Sequence, residues 1–448
     1  MVKEATPLML KELYAEQLGH AGYRALLDRN VTILGAMDDH DYGTNNGDSE
    51  FQYKVQSGVE YVEFLKETNK ADLTLMAERA AAGKGVYGVK VFDFSRPTGE
   101  ELLTDTEAGL DPDTPVRSTD TLSDRSVAVF LLDNRSNKTP WKKGWLKYSL
   151  DYEGDFLGES QWQWFEEAIG RSTASVNIIV QGLQIHSDRY FDGNQVEDWS
   201  RYPMSQHRMY QAALKTGVQA PIFVSGDVHM AELLRKDCRQ AHSSDTNETT
   251  RSLLEVTTSG MTHSWGTHIC ARPDSSIACR TPYIDKSLAA GMHLAHINHA
   301  WTDVVDIGKE RHEGAKSRYQ YSLELNFGEF EFDWEQRQVI IRILGKDMEA
   351  TPYLSTRWDF DALSGKTALE ETGKIQQQDY DNIWHEVSTH GAKQSDWICV
   401  NYRGSASAPL KVFGIISPIS FACFWMFLPI VIPLVLMYIL MRPRSKKV

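Results

Sequence analysis

Two short acidic blocks contain the residue types that bind metal ions. Residues 38–41 (DDHD) follow an apolar run, and residues 226–229 (GDVH) follow another one. In a tight turn after a strand, side chains two residues apart can point to the same side, so Asp227 and His229 can enter one pocket together. Carboxylates and imidazoles gathered in this way suit a hard or borderline metal ion.

Each block alone also has an ordinary explanation. A Gly-Asp-x-His string is expected by chance in roughly one chain of this kind in 20. Residues 38–41 can equally form a solvated turn with a helix-capping aspartate. The presence of both blocks, each behind a predicted strand, favours a metal site over two unrelated turns.

The pattern of strands and helices explains how the two blocks can meet. Apolar alternation and runs predict strands over 31–37, 86–94, 127–132, 175–180 and 221–225, with helices over 8–28, 59–82, 159–169 and 204–215. This alternation favours an α/β sheet, in which ligands bind at the carboxyl ends of the strands. Strands predicted over 253–258, 321–327, 329–334 and 338–344 form an antiparallel sheet or an edge of the same domain.

Several motifs resemble, in order and spacing, the PhoD-like alkaline phosphatases of the calcineurin-like metallophosphoesterase superfamily. The matching stretches are 38–46 (DDHDYGTNN), 131–133 (LLD), 157–162 (LGESQW), Gln184, 225–229 (SGDVH) and 258–263 (TSGMTH). The resemblance covers roughly residues 14–344. It implies the four-layer α/β/β/α sandwich of that superfamily and the hydrolysis of phosphate mono- or diesters.

The same resemblance implies roles for individual residues. His40 and Asp38 are expected to be catalytic, with His40 steadying the transition state or protonating the leaving group. Asp39, Asp227 and His229 are expected to ligate two metal ions, which are both divalent or include one trivalent ion. Calcium and iron are the metals associated with the family, and manganese or zinc are possible. Residues expected to contact substrate or to support the ligands are Asp41, Asn45, Asn46, Gln184, His186 and His263.

The upstream part of the family pattern is missing. Only 37 residues precede Asp38, and they contain one aspartate and no cysteine. The chain is therefore expected to be an N-terminally truncated member that lacks the first strand-helix-strand unit and its metal ligands. Two functions stay open: a membrane-anchored metallophosphoesterase, or a catalytically impaired phosphatase-like membrane protein that acts by binding or regulation.

Charge and hydropathy predict the partners and the location. The net charge of −14 argues against a nucleic-acid partner. Residues 412–441 contain no charged side chain, which predicts a transmembrane helix in a lipid bilayer. The basic tail 442–448 is then expected in the cytosol. Residues 1–345 form the expected phosphatase domain, lumenal or extracellular, in the endomembrane system or plasma membrane, and residues 346–411 form a tether.

Cysteines and glycosylation triplets are compatible with that location. Cys238, Cys270, Cys279 and Cys399 form an even set, in which Cys270 and Cys279 could close a short loop or all four could be free thiols. A glycoprotein is also compatible with the Asn-x-Ser/Thr triplets that begin at Asn30, Asn134, Asn137 and Asn247.

Overall fold

The computed structural model describes residues 4–29, 31–68, 71–114, 121–143, 149–187, 197–241, 250–262, 264, 321–345, 351–367 and 375–401. Its strands are β1 Gly88–Asp93, β2 Ser126–Leu131, β3 Val176–Val180, β4 Pro221–Ser225, β5 Ala231–Gln240, β6 Arg251–Thr258, β7 Tyr321–Ser322, β8 Phe327–Asp333, β9 Gln338–Leu344, β10 Leu354–Asp359 and β11 Trp397–Asn401. Its helices are α1 Pro7–Gly19, α2 Ala21–Leu27, α3 Asp39–Tyr42, α4 Lys54–Thr68, α5 Thr74–Ala81, α6 Asp105–Ala108, α7 Glu159–Arg171, α8 Pro203–Ala213, α9 Phe360–Leu363 and α10 Gln377–Ser388, with a 3₁₀ turn at Trp199–Arg201.

A mixed sheet of eight strands is the centre of the fold. Its order is β1-β2-β3-β4-β6-β5-β11, and β7 pairs with β5. Strands β2, β3, β4 and β6 are parallel, so their carboxyl ends lie at one edge. Strands β1, β5 and β11 run antiparallel to their neighbours. The loops that follow β2, β3 and β4 are therefore neighbours in space.

Helices α7 and α8 cover one face of this sheet. Trp162, Phe165 and Ile169 are spaced along one side of α7 and pack with Phe130 and Phe223 of the sheet. This spacing is that of an amphipathic helix, whose apolar stripe must be buried against another element. The predicted helices over 159–169 and 204–215 are confirmed by α7 and α8.

The other face of the sheet packs against a second, three-stranded sheet of order β10-β9-β8. Alternate residues of β9, Val339, Ile341 and Ile343, are fully buried against Ile222 and Val256 of the large sheet. Helices α1, α4 and α5 pack around Val129 and Val180 on the same face. The described residues thus form an α/β arrangement with helices on one side of the large sheet and a small sheet plus helices on the other.

The predicted strand over 31–37 is wrong. These residues are described outside any strand. Strand β2 already has β1 and β3 as neighbours, and β3 has β2 and β4, so no pairing position is open beside them. The segment packs on α4 instead, where Met37 is fully buried beside Tyr61.

The predicted fold class is also wrong in its transmembrane helix. None of the helices among the described residues is long and apolar enough to cross a bilayer. The longest of them, α4, has 15 residues, fewer than the roughly 20 that a span requires. The predicted span at 412–441 and the tail at 442–448 lie outside the described residues.

The segment predicted as a tether contributes to both sheets. Within 346–411, β10 pairs with β9 and β11 pairs with β5. Cys399 of β11 lies opposite Cys238 of β5, and the two form a disulfide. Both Cys270 and Cys279, considered as an alternative pair, lie outside the described residues. Of the glycosylation triplets, the one at Asn134 is fully buried and therefore closed to modification.

Candidate metal centre

Three carboxylates converge beside the carboxyl ends of β3 and β4. One oxygen from each of Asp38, Asp39 and Asp227 lies within 4.8 Å of the others. Asp39 is almost fully buried, whereas Asp38 and Asp227 are half-buried. Within the described ranges, this is the one group of at least three His, Cys, Asp or Glu side chains close enough to hold one metal ion. Three carboxylate donors suit a hard cation.

The first block forms a one-turn helix, α3. Asp38 is extended and precedes the helix, and its N–H donates to Asp41 Oδ2 at 3.4 Å, so the helix-capping explanation of this block also holds. Gly43 ends the turn in the left-handed region, with a φ of 103°. Burial raises the pKa of Asp41 to about 6, and the neighbouring charge of Asp38 acts in the same direction.

The second block is a turn with an unusual backbone. Asp227 and His229 have φ values of 64° and 53°, in the left-handed region that side-chain-bearing residues seldom adopt. The Gly226 N–H donates to the Gly182 carbonyl at 2.8 Å, which ties this turn to the end of β3. The backbone of His229 is held by Ser259 Oγ at 3.1 Å. Such local strain is characteristic of functional loops.

Gly182 allows Asp38 to approach the end of β3. A Cβ placed on Gly182 would lie 2.4 Å from Asp38 Oδ1, closer than any real contact. A side chain at this position would therefore require the Asp38 carboxylate to move. Gly182 is not among the predicted site residues, although its place just after the predicted strand 175–180 was a usable signal.

Arg135 is the main residue of this site that is absent from the predicted set. It is fully buried, and its Nε donates to Asp38 Oδ1 at 2.6 Å. Its Nη1 donates to Glu197 Oε2 at 2.7 Å, and its Nη2 lies 4.0 Å from Asp227 Oδ1. The sequence did contain a signal for Arg135, because it is a charged residue four positions after the end of the apolar parallel strand β2.

A hydrogen-bonded chain continues from Arg135 back to the acidic block. Glu197 accepts from Lys138 Nζ at 2.9 Å and from the indole N–H of Trp141. Lys138 also donates to the carbonyl of Asn46 at 3.3 Å, and the Asn46 N–H donates to Asp39 Oδ2 at 3.1 Å. Asp38 and Asp39 are therefore linked by buried charged side chains and, at one end, by the backbone of Asn46. Asn46, predicted to contact substrate or support ligands, holds Asp39 through its backbone.

Burial is the largest influence on the pKa values of Asp38 and Asp227. Burial raises the pKa of Asp38, and the charge of Arg135 opposes this rise. Burial raises the pKa of Asp227 well above its ordinary range, and the negative charge of Asp38 adds to the effect. Burial also acts to raise the pKa of Glu197, but Arg135 and Lys138 hold it below its ordinary value. A cation among the three aspartates would relieve their repulsion.

Asp133 anchors the start of the loop that carries Arg135. Asp133 Oδ1 accepts from the backbone N–H groups of Arg135 and Ser136, both at 2.9 Å, and Oδ2 accepts from the Val86 N–H at 2.7 Å. Gln161 of α7 exchanges hydrogen bonds of 2.9 and 2.8 Å with the backbone of Asp133. The LLD and LGESQW stretches therefore position the Arg135 loop.

The remaining predicted residues of the first block lie at the rim. His40 is mostly exposed, and its Nε2 lies 3.9 Å from Asp39 Oδ1. Asn45 is exposed and donates to the side chain of Asn46 at 2.8 Å. His229, a predicted ligand, is not a member of the three-carboxylate group found among the described residues. His263 lies outside the described residues.

Gln184 and His186 belong to a separate buried cluster. Gln184 Nε2 donates to Glu232 at 3.0 Å and to Thr257 at 2.9 Å. His186 Nε2 lies 3.2 Å from the Leu253 carbonyl, and burial holds its pKa well below the ordinary value. These contacts are those of packed interior residues beneath α8.

Comparison with known proteins identifies the type of domain. Residues 125–274 match the family model described as PhoD-like phosphatase. This part of the chain is similar to PhoD-like phosphatases. The matched range includes Arg135, Asp227 and His229, whereas the block at 38–41 precedes it. Asp227 of the matched range and the two aspartates of the upstream block form the group that could hold a metal ion.

The comparison with solved structures includes one titled "Structure of PhoD". It has 16% sequence identity to this chain and a TM-score of 0.28. The match covers 50% of this chain and 38% of that chain, so the chain spans less than half of that structure's length. The search of curated proteins found no match.

Proposed function

We propose that this chain hydrolyses phosphate mono- or diesters at a metal centre built on Asp39 and Asp227. The observation that carries the proposal is the convergence of these two carboxylates with Asp38 within 4.8 Å. Asp227 lies inside the matched PhoD-like range, and Asp39 comes from a block almost 190 residues earlier. Carboxylates that repel each other in a half-buried site are expected where a cation is bound.

The donor set fits a metal ion. A bound divalent cation would offset the charge of the phosphate oxygens and lower the pKa of a bound water. Asp39 and Asp227 would hold it, and Asp38, which is hydrogen-bonded to Arg135, would be the third carboxylate within reach of the ion. His229 follows Asp227 by two residues, and we propose it as a ligand of a second ion in a binuclear centre. Calcium and iron are the proposed metals, by resemblance to the family.

His40 is the proposed proton donor. Its exposed ring lies at the rim of the cluster, with Nε2 3.9 Å from Asp39 Oδ1. A proton on Nε2 can pass to the oxygen of the departing alcohol, which makes that oxygen a better leaving group. The carboxylate of Asp39 would hold the ring toward the centre.

The proposed compartment is an oxidising one, outside the cytosol. The support is the disulfide between Cys238 and Cys399, because disulfides persist in secreted and lumenal proteins and are rare in the cytosol.

The test is hydrolysis of p-nitrophenyl phosphate and bis(p-nitrophenyl) phosphate by the purified chain, after chelation and after addition of Ca²⁺, Mn²⁺ or Fe³⁺. The proposal requires activity that chelation removes and metal restores. A chain that binds these ions without hydrolysing either ester would instead be a phosphatase-like protein that acts by binding. That alternative is favoured by one observation, the guanidinium of Arg135 that already neutralises Asp38.

A further inference from the structure

We propose that Arg135 is a built-in cation that competes with the metal ion for the carboxylate of Asp38 and so sets the metal affinity of the centre. This inference rests on the metal centre of the proposed function and assigns the regulation of its affinity. Arg135 would stabilise the metal-free state of the cluster, and its removal would therefore strengthen metal binding.

The first support is the position of the guanidinium. Arg135 is fully buried, and its Nε contacts Asp38 Oδ1 at 2.6 Å, a charge-assisted hydrogen bond. An arginine stays protonated in proteins, so this positive charge is permanent. The three carboxylates and Arg135 together carry a formal charge of −2. A divalent cation that binds Asp38 must therefore act against the charge of Arg135.

The second support is an unused donor. Nη2 of Arg135 is buried and has no hydrogen-bond partner among the described residues, and it lies 4.0 Å from Asp227 Oδ1. At this distance the guanidinium attracts Asp227 without a hydrogen bond. The arginine thus binds Asp38 tightly and leaves the oxygens of Asp227 for another cation.

The third support is the carboxylate on the far side of the guanidinium. Glu197 accepts from Arg135 Nη1 at 2.7 Å and from Lys138 at 2.9 Å. Its negative charge offsets part of the positive charge that Arg135 presents to Asp38. Neutralising Glu197 should therefore weaken metal binding, whereas neutralising Arg135 should strengthen it. A pair of merely structural residues would not produce shifts of opposite sign.

The experiment measures the Kd of the full chain for Ca²⁺ and Mn²⁺ by titration calorimetry. Arg135→Gln keeps a hydrogen-bonding side chain without the charge, and its Kd is expected to fall by about tenfold or more. Glu197→Gln is expected to raise the Kd by a similar factor. The metal-free unfolding midpoint of Arg135→Gln should fall, and added metal should raise that midpoint further than in the wild type.

The matched control is Arg79→Gln. Arg79 is also buried and paired with two carboxylates, Asp111 at 2.5 Å and Asp113 at 2.8 Å. Loss of its charge should lower stability to a similar degree and leave the Kd unchanged. Arg135→Lys keeps the positive charge but not the planar fork that reaches both Asp38 and Glu197. Its Kd is therefore expected to lie between those of the wild type and Arg135→Gln.

Weaker or unchanged metal binding by a folded Arg135→Gln would overturn the inference. If that variant does not fold, a Kd of Glu197→Gln that falls or stays constant overturns it, and a Kd that rises supports it. Binding of Ca²⁺ or Mn²⁺ by Arg135→Gln and not by the wild type would support it strongly. Binding by neither chain would refute both the inference and the metal centre. Opposite shifts in Kd without ester hydrolysis would leave the inference standing and refute the proposed hydrolytic function.

Discussion

Arg135 Nε and Asp38 Oδ1 lie 2.6 Å apart, although 97 residues separate them in the chain. The contact joins the loop after β2 to the residue that precedes α3. It means that the acidic block is partly neutralised by the protein itself before any ligand binds. The candidate site is therefore a cluster of three carboxylates and one arginine.

Loss of either predicted ligand should remove the proposed metal-dependent hydrolysis. Asp39→Asn and Asp227→Asn each replace a charged donor by a neutral one of equal size, and we expect kcat/KM to fall about 100-fold or more. The measurement is p-nitrophenyl phosphate hydrolysis together with metal content by elemental analysis. Glu50→Gln, an exposed carboxylate on the same loop, is the control. Unchanged metal content in both aspartate variants would refute this assignment.

His40→Ala should affect substrates according to their leaving groups. A proton donor is needed most when the departing alkoxide is basic, so we expect a loss of about 100-fold or more for an alkyl phosphate. The loss for p-nitrophenyl phosphate should be much smaller, because nitrophenolate leaves without a proton. Equal losses for both substrates would mean that His40 does not protonate the leaving group.

Gly182→Ala should displace Asp38. The added Cβ would lie 2.4 Å from Asp38 Oδ1, and the carboxylate is held on its other side by Arg135. We expect the Kd for Mn²⁺ to rise about tenfold and the unfolding midpoint to fall. Gly19→Ala is the control, since a Cβ there meets nothing within 4 Å. A wild-type Kd in Gly182→Ala would show that Asp38 is dispensable for metal binding.

The free energy of unfolding should fall as the pH rises from about 4.5 to 7, because the buried side chain of Glu232 ionises in this range. Burial raises its pKa from the ordinary 4.5 to about 7, and Glu232 Oε1 has no hydrogen-bond partner among the described residues. The folded state holds the proton more tightly than the unfolded state, so ionisation destabilises folding by about 3 kcal/mol at most. The neighbouring Glu255, whose pKa is also raised to about 7 by burial, adds to the same trend.

The measurement is urea unfolding at pH 5 and pH 8. Glu232→Gln resembles the protonated side chain and should lose clearly less stability between these two values than the wild type. Glu63→Gln, an exposed side chain in a surface ion pair, should follow the wild-type profile. A Glu232→Gln profile as steep as that of the wild type would contradict the assigned pKa.

Reduction of the Cys238–Cys399 bond should destabilise the large sheet. The bond closes a chain segment of 161 residues and joins β11 to β5, so its loss should cost about 2–5 kcal/mol of unfolding free energy. Denaturation with and without reductant measures this cost. The double variant Cys238→Ala/Cys399→Ala should match the reduced protein and be insensitive to reductant. A wild type insensitive to reductant would show that the bond does not form.

Local sequence determined much of the secondary structure. The apolar runs before Asp133, Gln181 and Gly226 appear as the parallel strands β2, β3 and β4, because continuous apolar runs can be buried on both faces of a sheet. The period of Trp162, Phe165 and Ile169 likewise predicted α7 and its buried side. The resemblance of the motifs to PhoD-like phosphatases is confirmed by the match over 125–274.

Local sequence patterns could not predict which segments pair with one another as strands. The apolar segment 31–37 satisfies the same pattern as a strand but packs on α4, because neighbouring strands already occupy the positions beside β2 and β3. Residues 354–359 and 397–401 looked polar and mixed, yet each pairs at the edge of a sheet. Whether a segment joins a sheet depends on open hydrogen-bonding edges far away in the chain.

The sequence by itself determined which residue types are available for chemistry: two acidic blocks behind apolar runs, with the spacing of a phosphatase family. Only the tertiary structure decided that Asp38, Asp39 and Asp227 meet, that His229 is outside this group among the described residues, and that Arg135 and Gly182 shape it. The physical reason is that the electrostatics of a site depend on distance and burial. Both arise from packing between loops that are far apart in the chain.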